Sequence, residues 1–107
     1  EQIEFKKLIG TCGLYEIDNI SRKGELRMKI GDKNEWGKGF GKIALKKLLN
    51  FGFNDLNLNK VWLKVLDDNK AAIKIYTDAG FVVEGKMKED MFIQGKYMDV
   101  LLMGFIK

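Results

Sequence analysis

The sequence predicts an α/β (α+β) domain in which a mixed, mostly antiparallel sheet splays at a central parallel pair of strands. Several short runs alternate apolar and polar residues or are rich in Ile, Val and Tyr, as half-buried strands are. Two other segments repeat apolar residues at helical spacing. A strand–helix–strand unit long enough for a right-handed crossover predicts the parallel pair, whereas tight turns predict antiparallel neighbours.

Three strands open the predicted order β-β-β-α-β-α-β-β. The first ends before a turn at Lys6-Lys7, and the second is an apolar run rich in Ile, Leu and Tyr. Turn residues follow it, and the third strand alternates charged with apolar side chains. These strands are expected over Glu1–Phe5, Leu8–Ile17 and Glu25–Ile30.

Two helices and three further strands complete the order. The first helix is expected from about Gly39 to Asn54, with an apolar face of Phe40, Ile43, Ala44, Leu48 and Phe51. Asn69 is a natural N-cap for the second helix, and Gly80 is a natural stop. The remaining strands are expected over Lys60–Leu66, Phe81–Lys88 and Tyr97–Ile106, the last two separated by a Gln94-Gly95 turn.

Composition excludes several classes of function. Histidine is absent and Cys12 is the single cysteine of the 107 residues, so Ser-His-Asp or Cys-His catalysis and a zinc site are excluded, and no metal is expected. Cys12 lies in an apolar run and is expected to be a small buried side chain. A single cysteine fits a reducing, cytoplasmic location. No apolar run approaches a membrane span, so no membrane partner is expected. The net charge is +4, but the lysines are dispersed, so nucleic acid is not an expected partner.

The strongest motif is a glycine-rich turn, Trp36-Gly37-Lys38-Gly39-Phe40-Gly41-Lys42, between a predicted strand and a predicted helix. Such a turn points several backbone N–H groups at one place, where the helix dipole favours a phosphate. A P-loop is disfavoured because Ile43 replaces the required Ser or Thr. A dinucleotide fingerprint is disfavoured because the spacing is G-x-G-x-G and no acidic strand end follows at the usual distance.

With a second motif, the chain resembles the GNAT superfamily of N-acetyltransferases, which use acetyl-CoA. The glycine turn matches the family's Arg/Gln-x-x-Gly-x-Gly/Ala motif, except that Trp36 replaces Arg or Gln. The family's Asn-x-x-Ala-x-x-x-Tyr-x-x-x-Gly-Phe motif is matched at every fixed position, by Asn69, Ala72, Tyr76, Gly80 and Phe81. The branch containing ribosomal-protein N-terminal and spermidine acetyltransferases is the most similar.

The resemblance implies roles for the motif residues. Tyr76 would be the general acid toward the departing thiolate, the alternative being a core tyrosine. Asn69 would contact the pantetheine arm besides capping its helix. A bulge at Met28, Lys29 and Ile30 would hold the acetyl carbonyl with backbone N–H groups. The cofactor-binding residues implied are Met28, Lys29, Ile30, Trp36, Gly37, Lys38, Gly39, Phe40, Gly41, Lys42, Asn69 and Tyr76.

The attacking amine must lose a proton to a carboxylate or through water. The candidate bases are Glu25, on the strand that leads to the cleft, and Glu16, on the neighbouring strand, although either fits an ordinary solvated side chain. The resemblance implies direct transfer of an acetyl group from acetyl-CoA to the primary amine of a polyamine, an amino sugar or a protein N-terminus. The alternative is a non-catalytic acyl-CoA-binding module or a fragment of a larger acetyltransferase. Residues 1–107 lack counterparts of the family's first strand and first two helices, so we expect one N-terminally incomplete domain. We expect it to be a piece of a longer protein, or to be completed by another chain, as in a homo-oligomer.

Overall fold

One six-stranded sheet forms the frame of the molecule. The computed structural model describes residues 3–7, 10–30 and 40–107. The strands follow the spatial order β1-β2-β3-β4-β6-β5, and every neighbouring pair is antiparallel except the central pair β3–β4. The predicted mixed sheet is therefore confirmed. Its strands are β1 (Ile3–Lys7), β2 (Gly10–Asp18), β3 (Lys23–Ile30), β4 (Lys60–Leu66), β5 (Val82–Ile93) and β6 (Lys96–Ile106).

Both predicted helices are present. The first, α1, spans Phe40–Asn50 and continues as a π-helical turn over Phe51–Asp55, and the second, α2, spans Lys70–Ala79. Gly80 ends α2 with φ 117°, a left-handed conformation that glycine adopts without steric cost, as the sequence predicted. No helix in the described part of the chain is long and apolar enough to cross a bilayer.

Several boundaries differ from those expected. The turn predicted at Lys6-Lys7 is wrong, because both residues continue β1 by pairing with the start of β2. β3 begins two residues earlier than expected, at Lys23, where it pairs with Lys60 of β4. β5 runs on to Ile93 because its far half pairs with β6, where it contributes Phe92 opposite Tyr97. The last two strands thus form one long hairpin.

The hydrophobic core lies on one face of the sheet, and both helices pack there. Alternate residues of the strands point into it, including Leu14, Leu26 and Leu63. The two helices contribute Leu45, Leu48, Leu49, Ala72, Ile75 and Tyr76. Ile43 was expected on the buried side of α1 but is 59% exposed, because Leu45, Leu48 and Leu49 are the residues of this helix that face the core. The other face of the sheet is hereafter the second face; it carries Tyr15, Glu25, Arg27, Trp62 and Lys64.

Candidate functional site

The two parallel strands separate soon after they meet. Among the described residues, β3 pairs with β4 at three positions, the last of them Glu25 opposite Trp62. Beyond this point β2 stays paired with β3 as far as Ile30, and β6 stays paired with β4 as far as Leu66. Each strand is therefore held by its outer neighbour while a split opens between their inner edges. Backbone groups along these edges have hydrogen-bonding capacity that the sheet does not use, which suits a bound ligand.

The bulge expected at Met28, Lys29 and Ile30 is wrong. These residues continue the regular antiparallel register of β3 with β2, Met28 lying opposite Cys12 and Ile30 opposite Gly10. The irregularity in this strand pair lies instead between Tyr15 and Asp18, and Glu16 there has φ 52°. The divergence of β3 from β4 frees the inner edge of β3 without a bulge, so N–H groups can still face the split.

The start of α1 is a second place that offers backbone N–H donors. In the described part of the chain the helix starts at Phe40, followed by Gly41 and Lys42. Gly41 is buried, whereas Lys42 is exposed. The preceding motif residues Trp36, Gly37, Lys38 and Gly39 lie outside the described residues. The N-terminal end of a helix beside an exposed lysine favours an anion, so this end of α1 fits the phosphate portion of CoA.

α2 begins beside the open end of the split. Asn69 donates its backbone N–H to the Leu66 carbonyl at the end of β4, at 3.0 Å. Its side-chain Oδ1 accepts a hydrogen bond from the Ala72 N–H at 3.2 Å, so the predicted N-cap is confirmed. The expected contact of Asn69 with the pantetheine arm stays a prediction.

Tyr76 lies in the core, on the buried side of α2. It is 5% exposed and packs edge-to-face against Phe81, with 5.8 Å between ring centroids. Burial, with a smaller electrostatic contribution from Cys12, raises the pKa of Tyr76 to about 12. Tyr76 and Cys12 belong to the same hydrophobic core. The phenol therefore stays protonated at neutral pH, as a general acid must; its catalytic role stays a prediction.

Cys12 itself is 3% exposed and belongs to the same core, as the sequence predicted. The described residues contain no group of three or more His, Cys, Asp or Glu side chains that could hold a metal ion.

Glu25 lies on the second face, at the point where the parallel strands separate. The residue is 7% exposed, so the expected alternative of a solvated carboxylate is wrong for it. Its Oε1 accepts hydrogen bonds from Arg27 Nη2 at 2.8 Å and from Arg27 Nε at 3.1 Å. The side chain of Glu16, by contrast, is 75% exposed. Of the two candidate bases, Glu25 is the one next to the split.

Arg27 is the neighbouring charged residue that the sequence reasoning missed. Its guanidinium lies 4.5 Å from the centre of the Tyr15 ring and 4.0 Å from Glu16 Oε1. Hydrogen bonding to Glu25 raises the pKa of Arg27 above its ordinary value. The sequence did carry a signal for this pair, because Glu25 and Arg27 are two residues apart on a predicted strand and such residues share a face. On the same face Lys64 Nζ lies 5.9 Å from the Trp62 ring centre.

A separate groove of about 400 Å³ runs between the two helices. Its walls include Leu49 and Phe53 from the α1 side and Ile75 and Ala79 from α2, with Phe105 nearby and Lys42 and Lys46 at its edge. These α2 residues lie in the second half of that helix, away from its start at the split.

Comparison with known proteins identifies the family. Residues 2–82 match the acetyltransferase (GNAT) domain model. The spermidine N(1)-acetyltransferase of Vibrio cholerae is 40% identical over 95 residues, which cover 89% of this chain and 54% of that enzyme. A crystal structure of the V. cholerae enzyme with CoA and spermine superposes with a TM-score of 0.85 at 39% identity, covering 94% of this chain and 59% of that one.

A dodecameric structure of spermidine N-acetyltransferase from V. cholerae also matches, with a TM-score of 0.85 at 39% identity over 94% of this chain and 58% of that one. The chain thus spans little more than half the length of the relatives it matches. The family match covers most of the chain and agrees with the split sheet and the capped second helix. The chain belongs to the GNAT acetyltransferase family.

Proposed function

We propose that the protein is an acetyl-CoA-dependent N-acetyltransferase that acetylates a primary amine of a polyamine. The observation that carries the proposal is the split between β3 and β4, flanked by the first turn of α1 and the capped start of α2, in a chain of this family. The V. cholerae relative is a spermidine acetyltransferase crystallised with CoA and spermine, which supports both the co-substrate and the polyamine class.

The residues present fit acetyl-CoA as co-substrate. In this proposal the pyrophosphate is bound by the glycine turn Gly37–Gly41, with Lys38 and Lys42 supplying positive charge. The pantetheine arm occupies the split and uses backbone groups of β3 beyond Glu25 and of β4 beyond Trp62. Acetyl-CoA supplies an activated acetyl group, while the chain supplies binding, orientation and proton transfer.

The transfer is a direct attack of the amine on the acetyl carbon. The carbon–nitrogen bond forms while the carbon–sulfur bond breaks, the amine proton passes to Glu25, and the phenolic proton of Tyr76 passes to the sulfur. Products are the N-acetylamine and the CoA thiol, and proton exchange through solvent restores both side chains. On the second face, the carboxylates available to a cationic acceptor are Glu16, whose side chain is 75% exposed, and Glu25 next to the split.

A thiol-release assay tests the proposal. The protein is incubated with acetyl-CoA and, separately, with spermidine, spermine, glucosamine and a short peptide with a free N-terminus. We expect acetylated product and stoichiometric CoA release with the polyamines at a higher kcat/KM than with the amino sugar or the peptide. CoA binding without turnover on any acceptor would instead identify a non-catalytic acyl-CoA-binding module.

The phosphate site has its own test. Gly39→Val places a side chain where the phosphate is proposed to approach the backbone, so CoA affinity measured by calorimetry should fall at least about tenfold. Gly85→Val is the matched control, because a Cβ at Gly85 meets Leu102 Cδ1 at an ordinary 3.8 Å. Equal CoA affinity in the two variants would remove the glycine turn from the phosphate site.

Assembly into a homo-oligomer in the cytoplasm is part of the proposal. β1 and β5 are the outer strands of the sheet, and a related V. cholerae enzyme is dodecameric. Light scattering of the purified protein should give a mass that is a multiple of the chain mass. A monomer with a cooperative melting transition would contradict the assembly.

A further inference from the structure

The hydrogen bonding of Glu25 is one-sided. Both hydrogen bonds from Arg27 end on the same carboxylate oxygen, Oε1. A fork-to-fork arginine–carboxylate pair would instead engage both oxygens. Arg27 therefore fixes the direction of the carboxylate while making no hydrogen bond to Oε2. An oxygen without that bond can still accept a proton.

Arg27 is itself held in place by β2. The guanidinium packs on the Tyr15 ring at 4.5 Å, and Tyr15 lies directly opposite Glu25 in the β2–β3 register. Glu16 Oε1 lies 4.0 Å from Arg27 Nη2 on the outer side. The bulge after Tyr15, where Glu16 has φ 52°, places this second carboxylate next to the guanidinium. Stacking and charge together thus limit the orientations that Arg27 can adopt.

We propose that Arg27 is a positioning residue for the proposed acetyl transfer, holding Glu25 by Oε1 so that Oε2 accepts the proton of the attacking amine. The inference rests on the proposed function. Glu25 is almost fully buried, and a buried polar group requires a hydrogen-bonding partner. Arg27 supplies two donors to one oxygen of the carboxylate and so orients it.

In the described part of the chain, the other charged groups on the second face form no hydrogen bond with Glu25. β2 contributes Tyr15 and Glu16, β3 contributes Lys23 besides Arg27, and β4 contributes Lys60 and Lys64. Lys60 Nζ is bonded to Glu84 Oε1 at 2.7 Å, and Lys64 lies against Trp62. Among these groups, Arg27 is the cation that forms a described hydrogen bond with Glu25, so its removal should change the orientation of that carboxylate most.

The test compares Arg27→Gln, Arg27→Lys, Glu25→Gln and the double variant Arg27→Gln/Glu25→Gln, with Arg22→Gln as control. Arg22 bonds the Asn57 carbonyl at 3.0 Å in a turn away from the split. For Arg27→Gln we expect kcat to fall about tenfold with little change in the KM for acetyl-CoA. In the Glu25→Gln background, Arg27→Gln should cause no further loss.

A second readout does not depend on activity. In protein labelled with ¹³C at glutamate carboxyls, the resonance absent from Glu25→Gln should change its chemical shift in Arg27→Gln relative to the wild type, because Oε1 loses both hydrogen bonds. If Arg27→Gln does not fold, Arg27→Lys decides. It keeps the charge but not the paired donors, so kcat should still fall.

The outcomes separate the two proposals. A wild-type protein that releases no CoA with any amine overturns the proposed function, whereas the carboxyl resonance of Glu25 still reports on its contact with Arg27. An active wild type with unchanged kcat in both Arg27 variants overturns the positioning role alone. Additive losses in the double variant would also overturn it, because Arg27 would then act independently of Glu25.

Discussion

Replacing Tyr76 by Phe removes one hydroxyl from a ring that otherwise keeps its packing against Phe81. With its pKa at about 12, Tyr76 is ionised in only about one molecule in 10⁵ at pH 7, so the phenol is available as a donor throughout the neutral range. General acids typically contribute 10² to 10⁴-fold to rate. We therefore expect kcat to fall at least about tenfold and up to about 100-fold, the latter equal to about 2.7 kcal/mol of transition-state stabilisation.

The assay is steady-state CoA release with spermidine, and CoA affinity is measured in parallel by calorimetry. The loss should appear in kcat, while CoA affinity stays within about twofold, because the phenol acts on the departing sulfur. Tyr97→Phe is the matched control, since Tyr97 is 62% exposed on the β5–β6 hairpin and pairs with Phe92 at 5.0 Å. Wild-type turnover in Tyr76→Phe would show that Tyr76 is a core tyrosine and that the reasoning from its protonation state is wrong.

Three further predictions concern stability. Asn69→Ala should lower the free energy of unfolding by about 1 kcal/mol in urea titrations, because the bond to the Ala72 N–H is lost; Asn69→Asp should retain most of it. Gly80→Ala should cost about 1 to 3 kcal/mol in the same titrations, since φ is 117° and a Cβ would lie 2.7 Å from Phe105 Cε2; a neutral effect would contradict this geometry. Between pH 10 and 12, Tyr76 ionises in the unfolded chain but stays protonated in the folded chain. The free energy of unfolding should therefore fall with rising pH by up to about 2 kcal/mol more in the wild type than in Tyr76→Phe. Parallel pH dependences of the two proteins would refute the raised pKa.

Local patterns in the sequence predicted the order of elements because each was self-contained. The alternation over Glu25–Ile30 and the pair Asn69 and Gly80 around a helical segment are signals that neighbouring residues supply. The length of β5 had no such signal. Its charged run Lys88-Glu89-Asp90 is typical of a loop, but it forms a bulge, in which the Glu89 N–H bonds Asp99 Oδ1 at 2.8 Å.

The site was predictable where it follows from motifs and not where it depends on strand pairing. The position of Asn69 at the start of α2 follows from its motif. The burial of Glu25 depends on Trp62 and Arg27, and Trp62 becomes its neighbour only through a pairing far apart in sequence. The bulge at Glu16 could not be predicted either, because glutamate is not a residue type that indicates a positive φ, and Glu16 has φ 52°.

Hydrogen–deuterium exchange with and without CoA tests whether the co-substrate is held where β3 and β4 separate. We expect slower exchange of backbone amides at residues 26–30 of β3 and at the glycine turn with the first turn of α1. Exchange at the tip of the β5–β6 hairpin, residues 92–97, should be unchanged. Slower exchange confined to the groove between the helices, around Phe53 and Ala79, or no change at all at saturating CoA, would show that CoA does not bind in the split.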